Sequence, residues 1–144
     1  MATETTAEEN KQIARRFPEE VATEGDIDLI DDLCTTDVVD HNPLRETRGR
    51  EELKRHIESI RAAFGDFSAT VEDIVGEGDT VAMRVTLRGR HDGDFAGIEP
   101  TGNEFEVNNT VFTRVEGGRV AERWVNPDVY GLMHQVDAVE PLGE

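Results

Sequence analysis

Few side chains in this sequence can move a proton, and they are scattered. Histidines stand at positions 41, 56, 91 and 134, and none has the i, i+4 spacing that sets two metal ligands on one helical face. A zinc site built on His41 and His91 lacks further ligands, and Asp92-Gly93-Asp94 is too short for a calcium loop. Cys34 is the only cysteine, which excludes an intramolecular disulfide and a thiolate cluster. The glycine patterns that cradle dinucleotides and phosphates are absent, as are H-E-x-x-H and G-x-S-x-G. Any catalysis therefore rests on general acid and base groups or on a pocket.

Single residues leave alternatives open. His91 ends a segment in which Val81, Met83, Val85 and Leu87 share one face, so its ring is either a core group bonded to backbone or a polar group at a pocket rim. His41 follows Asp40 at a strand end, where the two either pair and orient each other or cap a turn. Asp128 lies behind Pro127 at the start of a helix, a place that suits a cap because a carboxylate there favours the helix dipole. Trp124, the sole tryptophan, brings a large apolar area and one N–H donor to the core or to a pocket wall.

The elements that must position these groups are legible in the hydrophobic period. Thr6-Ala7-Glu8-Glu9 has capping-box spacing and opens a helix whose apolar stripe is Ile13, Phe17 and Val21, with Pro18 expected to kink or end its first half. Asp26 is expected to cap a short helix bearing Leu29, Ile30 and Leu33. A short strand over Val38 to His41 stops at Asn42-Pro43, and a third helix covers about Arg50 to Phe64. From Phe67 the period changes from 3.6 to 2. Strands at 68–76 and 80–92 flank Glu77-Gly78-Asp79, strands at about 104–116 and 119–126 meet at Gly117-Gly118, and a terminal helix runs from Pro127-Asp128 through His134. Helices first and an antiparallel meander second predict an α+β fold, with the helices on the concave face of a curved antiparallel sheet and a pocket between them.

The length of 144 residues fits one domain, 1–144. With 32 acidic against 15 basic side chains the formal charge is −17, which argues against nucleic acid and anionic membrane as partners. The basic residues divide as 13 Arg to 2 Lys, an acid-rich, Lys-poor balance similar to that of proteins from salt-loving cytoplasms. There the Debye length falls to about 3 Å at 1 M salt and self-repulsion is screened. The start, MATETTAEENKQ, has neither the basic end nor the apolar run of a signal peptide, and no segment is long and apolar enough to span a membrane, so a cytoplasmic location is expected. Arg84, Arg88, Arg90 and Arg114 fall at outward strand parity, where they are expected to meet Glu106, Glu122 or a second subunit, and a homodimer through the open sheet face follows.

The chain resembles the SnoaL-like polyketide cyclase family over about residues 8 to 136. The likeness is carried by Val39-Asp40-His41-Asn42-Pro43, Gly49-Arg50-Glu51-Glu52-Leu53, Val71-Glu72-Asp73-Ile74, Gly78-Asp79-Thr80-Val81-Ala82 and Gly89-Arg90-His91. It continues in Gly97-Ile98-Glu99-Pro100-Thr101-Gly102, Gly118-Arg119-Val120-Ala121-Glu122-Arg123-Trp124, Asp128, Gly131-Leu132 and Gln135. The resemblance implies a cone-shaped nuclear-transport-factor-2-like fold, a homodimer, a small apolar carbonyl ligand and no metal or organic cofactor. It also implies proton abstraction beside a carbonyl followed by cyclisation. The acid/base Asp of the cyclase pattern falls on Val125 and its partner His on Val111, neither of which can exchange a proton. A substitute mechanism makes Asp128 the base with His91 or His41 as polariser or acid, beside Asn109, Arg123, Trp124 and the two valines as ligand contacts. The alternative is a non-catalytic binding module of the same fold.

Overall fold

The computed structural model describes residues 4–138, so the ends of the 1–144 span lie outside the described residues. Thr6 caps α1 (Ala7–Arg16) with the full capping box: the Glu9 N–H donates to Thr6 Oγ1 at 3.1 Å and the Thr6 N–H to Glu9 Oε1 at 3.0 Å. Pro18 does not end the helix. The chain runs on as a wider π-helical segment (Phe17–Thr23), and the Thr23 hydroxyl donates to the Pro18 carbonyl at 2.8 Å. Asp26 precedes a single 3₁₀ turn (Ile27–Leu29) and then α2 (Ile30–Leu33), but its side chain makes no capping bond, contrary to expectation.

Strand β1 (Cys34–His41) begins four residues earlier than predicted, β2 is the pair Thr47–Arg48, and α3 (Arg50–Ala63) hands over directly to β3 (Phe64–Glu77). Strands β4 (Thr80–His91), β5 (Glu104–Glu116) and β6 (Arg119–Pro127) complete the meander, and α4 (Val129–Gln135) closes the described chain. Gly117 and Gly118 both have positive φ, +58° and +80°, as a two-residue hairpin loop matched to strand twist requires.

The fold is α+β, with one six-stranded sheet in the order β2-β1-β6-β5-β4-β3. The sheet is mixed rather than wholly antiparallel: β1 runs parallel to β6, because the long helical connection returns the chain to the sheet edge only after α3. Val81, Met83 and Val85 of β4 and Val111 of β5 face the helices and pack against Ala14 and Ala22. Irregularities between Gly65 and Ser68 and between Val71 and Asp73 bend β3. Among the described residues no helix is long and apolar enough to cross a membrane.

Candidate functional site

Between the sheet and the helices lies a cavity with about 90 Å³ open to the centre of a water molecule. Its walls come from every layer: Phe17 and Pro18 of the π-helical turn, Ile57 and Ile60 of α3, Phe64 and Phe67 of β3, Val107 and Val111 of β5, Val125 of β6 and Leu132 of α4. Phe64 contacts Phe105 edge-on and Phe95 at a tilt, with ring centroids 4.8 and 4.9 Å apart, so one end of the cavity is aromatic.

The other end holds a buried ion pair. Asp40 and Arg123 are register partners across the parallel β1–β6 seam, and Arg123 Nη1 donates to Asp40 Oδ2 at 2.5 Å. Their side chains are 2% and 7% exposed. The Arg123 guanidinium also lies over the Phe17 ring, 3.8 Å from its centroid, which fixes its plane. Thr47 and Thr113 extend this inward row on either side, and Thr47 Oγ1, Thr113 Oγ1 and Arg123 Nε are buried without a hydrogen-bond partner.

His56 of α3 also lines the cavity and is 5% exposed. Burial pushes its pKa below the ordinary 6.5; Asp40 opposes this, and Arg45 and Arg123 reinforce it. The ring is therefore neutral at pH 7, an acceptor of protons in an apolar chamber. Asn109 and Asn42 add amides to the lining, and Asn109 Oδ1 is buried without a partner. Cys34 is no nucleophile: burial pushes its thiol up to about 12.

Of the residues singled out in the sequence, Asn109, Arg123, Val111 and Val125 line the cavity, whereas Asp128, His91, His41 and Trp124 do not. Asp128 is exposed, and its Oδ1 accepts from the Gly131 N–H at 2.8 Å, so its carboxylate is engaged as the cap of α4. His91 is fully buried behind Phe64, where Nδ1 accepts from the Thr101 N–H at 3.3 Å. Backbone bonds from His91 to Asn103 and Gly102 complete the anchor, so His91 holds the loop that carries Phe95 to the cavity wall. His41 and Trp124 sit on the opposite face of the sheet because each follows a cavity residue, Asp40 or Arg123, and strand neighbours alternate. There the two rings stack with centroids 5.5 Å apart. His41 reaches Glu122 at 2.7 Å and Glu46 at 2.8 Å, which raise its pKa, Glu122 the more. Trp124 is 37% exposed, a correction to its expected place in core or wall.

The same alternation would have flagged Asp40, which shares its face with the buried Val38. His56 follows Leu53 by three residues on the buried face of α3, a second missed signal. Among the described residues no cluster of His, Cys, Asp and Glu could hold a metal ion.

A model of the family described as SnoaL-like polyketide cyclase matches residues 12–136. The chain is 30% identical over 108 residues to the aklanonic acid methyl ester cyclase DnrD of Streptomyces peucetius, covering 74% of this chain and 72% of that protein. TsrD from Streptomyces laurentii superposes with a TM-score of 0.85 at 29% identity, over 94% of this chain and all of that one, 100%. IdmH from Streptomyces antibioticus gives a TM-score of 0.78 at 31% identity, over 89% of this chain and 98% of that one.

Proposed function

Because the chain belongs to the SnoaL-like polyketide cyclase family, we propose that its cavity binds a small, largely apolar carbonyl compound and catalyses proton transfer leading to cyclisation, with His56 as the base. The observation that carries this reading is a neutral imidazole and a guanidinium lining one apolar cavity. The imidazole takes a proton from the carbon next to the carbonyl. Arg123, through a guanidinium N–H that Asp40 leaves open, donates to the oxygen on which the enolate charge develops. The enolate carbon then attacks a second carbonyl of the same molecule, whose π electrons pass to its oxygen, and the His56 imidazolium returns the abstracted proton to that alkoxide.

Val111 and Val125 favour a second reading, a binding module without turnover, since they fill the positions where the resemblance implies acid and base. Exchange of the α-protons of small aryl ketones in D₂O, followed by NMR, separates the two. The enzyme reading expects acceleration by the protein and a loss of roughly 10²-fold or more in His56→Gln, the scale of general-base catalysis. No acceleration with any ketone that binds leaves the binding module.

The same proposal includes a cytoplasmic, salt-adapted homodimer joined through the outer sheet face. Its support is a lateral row of register partners, Val75, Ala82, Phe112 and Trp124, in which Val75 is 65% and Phe112 45% exposed. The arginines beside this row are already paired within the sheet, Arg84 with Asp73 at 2.7 Å and Arg114 with Glu122 at 3.4 Å, so the apolar row offers the contact surface.

A further inference from the structure

Among the described residues lining the cavity, Arg123 is the only one with a permanent positive charge and Asp40 the only acid. The two neutralise each other at 2.5 Å, and both are buried, so the chamber carries no net charge with His56 neutral. We propose that Asp40 is a specificity-determining residue that sets the charge class of the ligand: it makes the cavity receptive to a neutral ketone or ester and closes it to the corresponding carboxylate. This rests on the carbonyl-pocket reading above.

The argument is electrostatic. Left alone, a buried guanidinium beside aromatic walls would be a receptor for carboxylates, which it grips through two parallel N–H donors. Asp40 engages Nη1, and Nε is buried without a partner, so the guanidinium keeps open donors beside a carboxylate that already neutralises it. A ketone or ester oxygen needs only one donor. A ligand carboxylate at these donors would lie close to the Asp40 carboxylate, and the chamber would bury one uncompensated negative charge. Like charges forced together at a buried site are strongly disfavoured, so discrimination of at least about tenfold is expected. Neither Asn109 nor Asn42 brings a charge that would offset it.

Methyl benzoate and benzoate, matched in ring and carbonyl but not in charge, test this by calorimetric titration of the full chain near neutral pH. Wild type is expected to bind the ester at least about tenfold more tightly, Asp40→Glu to keep that order, and Asp40→Asn to reverse it by freeing the guanidinium. Benzoate bound by wild type as tightly as the ester, or a folded Asp40→Asn that still prefers the ester, overturns the proposal and leaves the carbonyl pocket standing. If neither compound binds wild type, the carbonyl pocket itself fails, and the role of Asp40 with it. If Asp40→Asn is too unstable to titrate, its thermal midpoint in excess benzoate is read instead. A rise not reproduced by equal chloride supports the proposal, and no rise overturns it.

Discussion

Replacing Arg123 by Gln strands the Asp40 carboxylate, which is 1% exposed, without its ion-pair partner across the β1–β6 seam. Breaking a buried pair from one side costs about 3–5 kcal/mol, and Coulomb's law gives the same scale, about 4 kcal/mol for unit charges about 4 Å apart at an effective dielectric of about 20. The stacking of the guanidinium on Phe17 is lost as well, within that figure rather than beyond it. At about 3–4 °C per kcal/mol for a chain of this length, the thermal midpoint should fall by roughly 10–20 °C. Asp40→Asn strands the guanidinium instead and should cost a similar amount. The double variant removes both charges, and since a buried pair gains little net stability over neutral replacements, it should recover most of the loss. Denaturant unfolding of the four proteins closes the cycle, with a coupling of about 2 kcal/mol or more expected. A single-variant cost under about 1 kcal/mol, the range of exposed pairs, would refute the buried-pair account.

The two histidines on opposite faces of the fold should give opposite pH limbs. His41 is held above its ordinary 6.5 by Glu122 and Glu46, so its contribution is full below 6.5 and fades as pH rises through the folded value; His41→Gln should flatten that alkaline limb. Trp124 is the only tryptophan and stacks on His41, so its fluorescence titration reads the same protonation. His56 is held below 6.5, so stability should fall as pH drops beneath 6.5, and His56→Gln should remove that loss, measured by denaturant midpoint against pH. Asp128→Ala should cost about 1 kcal/mol through the lost cap while α-proton exchange is unchanged; a tenfold fall in exchange would return Asp128 to the chemistry. Phe112→Glu should shift the sedimentation of the protein from dimer to monomer, and an unchanged profile would exclude the outer sheet face as the contact.

Local chemistry made the frame readable. The capping box at Thr6, the double glycine at 117–118 and the alternation along β4 each act within a few residues, and each appears where the sequence places it. The π-helical continuation past Pro18 was not readable, because it depends on Phe17 and Val21 packing into the core beside Ile30 and Leu53. The parallel seam was equally hidden. Nothing in the sequence of β1 says that its neighbour is β6, a strand about 80 residues later, and without that seam Asp40 has no visible partner. Strand parity does show that Asp40 and His41 cannot share a face, which is why their pairing fails while each finds a partner on its own side.

Parity also bears on the proposed chemistry. Val111 and Val125 are register partners, so the positions of the expected acid and base do face each other across β5 and β6 in the cavity. Two residues away on the same face of β6 stands Arg123, in the next inward row, roughly 7 Å along the strand. Its counter-charge comes from β1 because β1 is the parallel neighbour of β6 at that row. A base acting on a ligand held at Arg123 must then come from the layer facing the sheet, and among the titratable residues lining the cavity only His56 of α3 meets that condition. In the proposed reading the polar row lies one step along β6 and the proton acceptor is on the helix rather than the sheet, and substituting Val125 alone would leave Arg123 and His56 in place. Val125→Ala should therefore preserve α-proton exchange within about threefold, whereas His56→Gln should not.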